Sequence, residues 1–449
     1  MDRDERFELL DEVRLASNCS HPIRLSGQML DRGTGEISVK GLKVACKDRR
    51  QVLCPACSAL YKADAWILVS AGLVGGKGID PEVAGHHKFF LTVTAPSFGR
   101  VHTIGANGSC RPAPHDGVAL CVHGRPTTCR GRHDANDLLL GTPICAQCFD
   151  YRGAVLWNAQ ASRLFSRTMR QAERRTGQLV GVSRREFHRH ANLNYLKVAE
   201  LQRRGLIHFH VIVRADGADE NPPPSWLSPE VLRQGFTETI RTIALSGVEG
   251  TVVSWGEQLA FMDLDELDTD IHRVANYIAK YSVKTTGDSI ALARRLHARQ
   301  EIESLRIHEH EKTLVLTAWD LSQIPALESL NLAAHAHTFG FTGQLITKSR
   351  GFSTTFKALR QARADYTASG NSHETLEGTF FYEGRGYDHP RATELAELFF
   401  HLEEELRVER AARRRMALQG SYDRDMNEPD PLTESSQQEN LEEISPEIA

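Results

Sequence analysis

The sequence predicts an α+β fold with cysteine-rich metal-binding segments, on three observations. Two apolar runs, 193–201 and 206–213, flank Gln202-Arg203-Arg204-Gly205, a tight-turn signal, and so read as a β-hairpin. Helical patterns occupy 151–177, 228–246 and 391–418. Two Cys-x-x-Cys pairs, Cys54/Cys57 and Cys145/Cys148, stand among nine cysteines. In a chain with no apolar signal segment at Met1–Val13, such pairs suggest metal rather than disulfides.

From the N-terminus, residues 1–85 form a first cysteine-rich segment with a helix-like stretch at 59–71. Residues 86–96 are β-branched and aromatic and close on Pro96, a buried strand. Residues 97–150, rich in Gly, Pro, Cys and His, look like a metal-stapled insertion in a domain spanning 86–286. Thr251–Trp255 reads as a short strand, and the aspartates of 263–270 lead into a helix at 271–283. A C-terminal region, 287–419, reads as mostly helical, with a charged helix at about 288–305 and a basic Gly/Thr/Ser-rich stretch at 338–357. From Gly420 on, nine acidic residues stand against one arginine, a net of −8. The whole chain carries −4, so residues 1–419 carry +4. The acidic end has the composition of a disordered tail. The body is mildly basic, with clusters at Arg167–Arg175, Arg184–Arg189 and Arg410–Arg415, although solvated helix faces give such clusters too. No apolar run reaches the roughly 18 residues of a membrane span, and the expected location is the cytoplasm.

His208 and His210 lie in the most apolar strand. Residues i and i+2 share a strand face, so the two imidazoles project together about 6.5–7 Å apart along the backbone, a spacing that suits one ion. A hydrogen-bonded pair without an ion would look the same in the sequence. A loop of Arg203–Gly205 pairs Glu200 with His208 and puts the carboxylate on their face, with Gln202 a near alternative; this register is preferred. A two-residue loop would oppose Leu201 to His208 and turn Glu200 away.

Tyr277 and Tyr281 are four apart on one helix face, with Lys280 and Lys284 on a neighbouring one. A phenol can attack phosphorus, but its free pKa near 10 keeps it protonated unless cations favour the phenolate. A divalent ion, Mg²⁺ or Mn²⁺, held by His208, His210 and Glu200 could polarise a phosphate. Tyrosines at this spacing also commonly pack a core. Their position 65–75 residues beyond a His-x-His strand makes the combination more specific than either part.

These residues resemble a known family. The Phe90–Pro96 strand, the His208/His210 pair and the stretch Tyr277–Lys284 look like the HUH rolling-circle initiators. The stretches Thr94–His102, Cys148–Asn158 and Lys197–His210 look more closely like initiators of actinomycete plasmids and integrative elements. The resemblance covers about 19–365. It implies an HUH endonuclease domain, a central antiparallel sheet with flanking helices, the histidines on a central strand and the tyrosine on a helix beside it. It also implies nicking of origin DNA, single-stranded at the nick site, with a 5′-phosphotyrosine and a free 3′-hydroxyl for a host polymerase and helicase. The paired tyrosines look like those of isometric phage A proteins. In some plasmid relatives a glutamate stands at the place of Tyr277, which makes Tyr281 the preferred nucleophile, with Lys280 assisting.

Four cysteines per tetrahedral ion is the usual closed zinc site. The expected sets are Cys19, Cys46, Cys54 and Cys57, and Cys121, Cys129, Cys145 and Cys148. Cys110 is left over, and His123 and His133 compete as ligands. Alternatively the two Cys-x-x-Cys pairs share one ion. Gly72–Gly78 fails as a phosphate loop, because Ala71 and Gly78 stand where Gly and Ser/Thr are needed, so no nucleotide cofactor is expected. Competing readings are a mobilisation relaxase or single-strand transposase with the same chemistry, and a zinc-dependent DNA-binding regulator without catalysis.

Overall fold

The computed structural model describes residues 3–31, 35, 37–111, 119–218, 221–264, 268–283, 290–369 and 376–425. Lys284 and residues 426–449 of the acidic tail lie outside them. Near the N-terminus come α1 (Arg3–Leu15), β1 (Ile23–Asp31), β2 (Ile37–Val44) and α2 (Pro55–Val74). The strand β3 (Lys88–Thr94) precedes the insertion, whose regular structure among the described residues is the two-residue strands β4 (Thr103–Ile104) and β5 (Cys110–Arg111) with short 3-10 turns. Then follow α3 (Tyr151–Leu179), α4 (Arg184–His190), β6 (Ala191–Leu201), β7 (Ile207–Gly217) and α5 (Pro229–Thr242). After β8 (Ala244–Ser246), β9 (Val252–Ser254) and β10 (Leu259–Asp263) comes α6 (Asp268–Ser282). The chain closes with α7 (Arg299–Ser304), α8 (Glu309–Leu321), β11 (Ile346–Lys348), α9 (Phe356–Ser369), β12 (Leu376–Arg385) and α10 (Arg391–Asp425).

The central sheet is antiparallel, in the order β10-β3-β7-β6-β11. Its pleat sorts side chains by parity. Phe89, Leu91, Val93, Ile207, Phe209, Val211 and Val213 face a core built with α3, α5 and α8. Leu196, Val198 and Ile212 face the opposite way, against Leu68, Val69 and Leu73 of α2 and Val274, Ala275 and Ile278 of α6. His208, His210 and Glu200 share the parity of that second face. The helix α2 is long and apolar enough to cross a membrane by length and composition, but half of it is buried inside the fold.

Packing cuts across the segments expected from the sequence. The N-terminal segment supplies α2 to the sheet, and β1 pairs with β12 more than 340 residues later, in a second sheet of order β12-β1-β2. Leu9 and Val13 of α1 pack on Ala392 and Ala396 of α10. The region after 287 is not a separate helical unit. Its β11 extends the central sheet, and Phe339, Phe341 and Phe352 are buried with that sheet's cores. The charged helix expected at 288–305 is shortened to α7 after a 3-10 turn at Ile290–Leu292. Gly420–Asp425, assigned by composition to the tail, continues α10.

A buried polar cluster anchors the far end of the hairpin. Arg214, fully buried, donates from Nε and Nη2 to Asp216 at 2.7 and 2.8 Å and from Nη1 to the Phe352 carbonyl at 3.1 Å. Asp216 also takes bonds from Asn194 Nδ2 (2.6 Å) and His86 Nδ1 (2.7 Å). Each bond to the carboxylate offsets part of the desolvation of the ion pair.

Candidate active site and metal centres

The hairpin turn is Gln202–Gly205, and Glu200 lies opposite His208, the preferred register. Gly205 adopts φ 79°, and a Cβ there would lie 2.1 Å from Leu314 Cδ1, so this turn position requires glycine. Asn158 Nδ2 donates to the Gly205 carbonyl at 2.8 Å, and His310 Nε2 to the Arg204 carbonyl at 3.2 Å.

His208 and His210 stack with ring centroids 4.6 Å apart. The Nε2 of His210 lies 3.2 Å from Glu200 Oε2 and 3.2 Å from the Tyr277 hydroxyl, while Nδ1 meets Thr92 Oγ1 at 3.2 Å. The Gln202 amide donates to His208 Nδ1 at 2.7 Å, and its oxygen accepts from Arg204 Nε at 2.9 Å. His208 Nε2 is buried with no hydrogen-bond partner. Burial, then the neighbouring His210, pushes the His208 pKa down to about 3, so the ring stays neutral.

Above this pair sits α6, buried through Val274, Ala275, Ile278 and Ala279. Along the edge of that buried face stand Tyr277 and Tyr281, rings 4.5 Å apart, each close to His210 at 5.0 and 5.4 Å, with Tyr281 packed against the same apolar cluster. Phe90 packs on both His210 and Tyr277. Burial and the adjacent Tyr281 push the Tyr277 hydroxyl well above the ordinary phenol range. Lys280 is exposed on the neighbouring face.

Tyr281 and Glu200 also line a cavity of about 220 Å³ with Arg49, Arg295, His335 and His337. These four cationic or titratable groups come from segments that sequence spacing did not connect with the histidines. Arg49 is carried there beside the cysteine cluster, donating to the Ser282 carbonyl at 3.3 Å. His335 and His337 belong to a 3-10 turn packed under α8. In the basic Gly/Thr/Ser-rich stretch 338–357, Lys348 donates to the carbonyls of Ser349 and Ser353.

Cysteines and histidines gather in three groups among the described residues, each with ligand atoms within 4.8 Å of one another. The first is Cys19, Cys46, Cys54 and Cys57, as grouped from the sequence. Their mutual approach pushes Cys54 down and Cys57 up, in both cases first through Cys19, because four clustered sulfurs cannot all carry protons equally. The second is Cys121, Cys145 and Cys148 with His123. Here the expected grouping is corrected: Cys129 lies elsewhere, and His123 takes its place with Nδ1 3.2 Å from Cys148 Sγ. Cys129 belongs to the third group, with His102, Cys110 and His133. Chain spacing alone misplaces it because residues 120–133 loop back between the two groups. The Thr103/Arg111 and Ser109/Arg132 pairings bring Cys129 beside Cys110 instead.

Fold and site thus define an α+β protein that sets two phenols over a histidine pair, with cysteine-rich groups around the sheet. Residues 6–400 match the family model described as "Replication initiator protein, pSAM2". A replication initiator protein of Streptomyces ambofaciens is 34% identical over 385 residues, covering 80% of each chain. No solved structure matches. The chain belongs to the pSAM2-type family of replication initiators, a membership that points to initiation of plasmid replication.

Proposed function

We propose that the chain initiates rolling-circle replication by nicking one strand of origin DNA with a tyrosine. The observation that carries this reading is the convergence of His208, His210 and Glu200 on one sheet face beneath Tyr277 and Tyr281. The attacking phenol oxygen bonds to phosphorus, the P–O3′ bond breaks, and the 3′-oxygen takes up a proton. The protein keeps the 5′-phosphate on tyrosine and leaves a 3′-hydroxyl to prime synthesis. Tyr281 is the preferred first nucleophile, since it borders the cavity where Arg49 and Arg295 can hold a phosphate. Tyr277 rests against His210 and is kept protonated, which withholds it from the first attack and leaves it for the closing transfer. Lys280, on the neighbouring face, can hold an outlying phosphate.

A divalent ion fits the residues present, because His208 offers a buried ring nitrogen with no partner and Glu200 lies beside His210. His208, His210 and Glu200 would hold it. Mg²⁺ or Mn²⁺ there would supply Lewis-acid polarisation of the scissile phosphate. Binding through His208 Nε2 requires that nitrogen deprotonated, which a turned Gln202 amide accepting from Nδ1–H would support. The first two cysteine-rich groups read as structural zinc sites, closed by four ligands each.

The test is incubation with supercoiled origin DNA and Mn²⁺. Relaxed product with a covalent adduct mapped to Tyr281 is expected. Binding without cleavage would favour a non-catalytic regulator. Cleavage that supports transfer but not replication would favour a relaxase.

A further inference from the structure

We propose that His102, Cys110, Cys129 and His133 hold a zinc ion of their own, and that this ion fixes the turn of the hairpin bearing His208 and His210. His102 Nδ1 lies 3.3 Å from His133 Nε2 and 3.7 Å from Cys110 Sγ, and Cys129 Sγ lies 3.6 Å from His133 Nε2. Zinc bonds of about 2.0–2.1 Å to nitrogen and about 2.3 Å to sulfur define a tetrahedron whose edges are about 3.3 Å (N···N) and about 3.6 Å (N···S). The observed separations match those edges. A plain N···N hydrogen bond would be shorter. Binding sends the two thiol protons to solvent.

The outer contacts point the same way. His133 turns its other nitrogen to Asp137, Nδ1 to Oδ2 2.6 Å, the carboxylate–histidine arrangement that orients a zinc-bound imidazole. Cys110 and His133 are buried, yet the surrounding segment has little apolar core, with Ile104, Leu120, Val122, Leu138 and Leu139 exposed. A segment so poor in buried apolar surface needs another source of folding energy, and a closed zinc site supplies it.

From this group a short path leads to the hairpin. The backbone of His102 bonds to Gly141 and Thr142. A Cβ on Gly141 would lie 2.6 Å from Cβ of Arg203, so the loop is pressed against the turn. Arg203 Nη1 donates to the Asp137 carbonyl at 3.3 Å. The next residue back, Gln202, holds His208 Nδ1.

Zinc content does not depend on the nicking chemistry; the effect on the hairpin rests on reading His208 as a working ligand. The purified full chain should carry three zinc ions by elemental analysis and native mass spectrometry. Cys129→Ser should carry two, and Asp137→Asn should release one ion 10- to 100-fold more readily to a competing chelator. Should Cys129→Ser fail to fold, cobalt-exchanged wild-type protein still resolves the site, as the absorption of a centre with two thiolates and two imidazoles beside those with four and three thiolates. Two ions with an unchanged count in Cys129→Ser, or a Cys110–Cys129 disulfide, would overturn the site. Faster amide exchange at 202–206 in Asp137→Asn under chelator is expected, and unchanged exchange there would overturn the link to the hairpin. If zinc and exchange behave as stated while origin DNA stays uncut, the zinc site stands and the nicking proposal fails.

Discussion

Among single residues, the histidine pair gives the sharpest expectations. His208→Ala or His210→Ala should remove Mn²⁺-dependent cleavage while leaving origin binding in a gel-shift assay intact. Cleavage persisting in chelator would exclude the metal reading. Gln202→Ala removes the bond to Nδ1 of His208 and should weaken the apparent metal affinity by about 10- to 100-fold, read from the Mn²⁺ titration of nicking. The phenols divide differently. Tyr281→Phe should abolish the initial adduct, whereas Tyr277→Phe should nick yet release few closed single-stranded circles, since only the second transfer loses its nucleophile. An adduct mapped solely to Tyr277 would reverse the roles. The sequence made both tyrosines and both histidines visible, because i, i+2 and i, i+4 spacings translate directly into shared faces. It hid Arg49, Arg295, His335 and His337, whose arrival depends on tertiary packing of distant turns.

At the scale of elements, the hairpin was the most legible part. Its two apolar runs marked the strands, and of the two registers the turn left open the structure takes the preferred one, which brings Glu200 to His208. Gly205→Ala should therefore cost at least about 1–3 kcal/mol, from positive φ and the collision with Leu314. Its urea midpoint measures this, and an unchanged midpoint would show that the turn can relax. At the other end, Asp216→Ala leaves the Arg214 guanidinium buried without its carboxylate and should cost about 3–5 kcal/mol. The insertion was legible only as rich in cysteine and histidine. Its ligands could not be partitioned from spacing, since two-residue strands and isolated bridges decide which cysteine meets which histidine.

Over the whole molecule, buried neutral histidines tie stability to pH. Burial lowers both His310 and His337 to about 4 from an ordinary 6.5. Between those values the unfolded chain binds protons that the native state refuses, so stability holds above pH 6.5 and falls as pH drops toward 4. The melting temperature should fall between about pH 7 and about pH 5. His310→Gln, which can still donate to the Arg204 carbonyl, should flatten that slope. Equal slopes for both proteins would remove His310 as a contributor. The molecule-scale layout was the least legible feature. Composition marked off an N-terminal segment, a middle domain and a helical C-terminal region, but the pairing of β1 with β12 carries no local signal.

That pairing also sets a timetable for synthesis. The strand Ile23–Asp31 leaves the ribosome early and then waits for Leu376–Arg385; at about 5–20 residues per second the interval is some tens of seconds. Tyr387, whose hydroxyl donates to the Cys19 carbonyl at 2.8 Å, arrives later still to cover the first cysteine group. During that interval the nascent chain already contains both histidines and both tyrosines, but β1 has only β2 beside it. A message cut short before β12 would yield a protein with its candidate site residues present and its N-terminal sheet unfinished. Such products should be cleared by proteolysis rather than accumulate beside the completed chain.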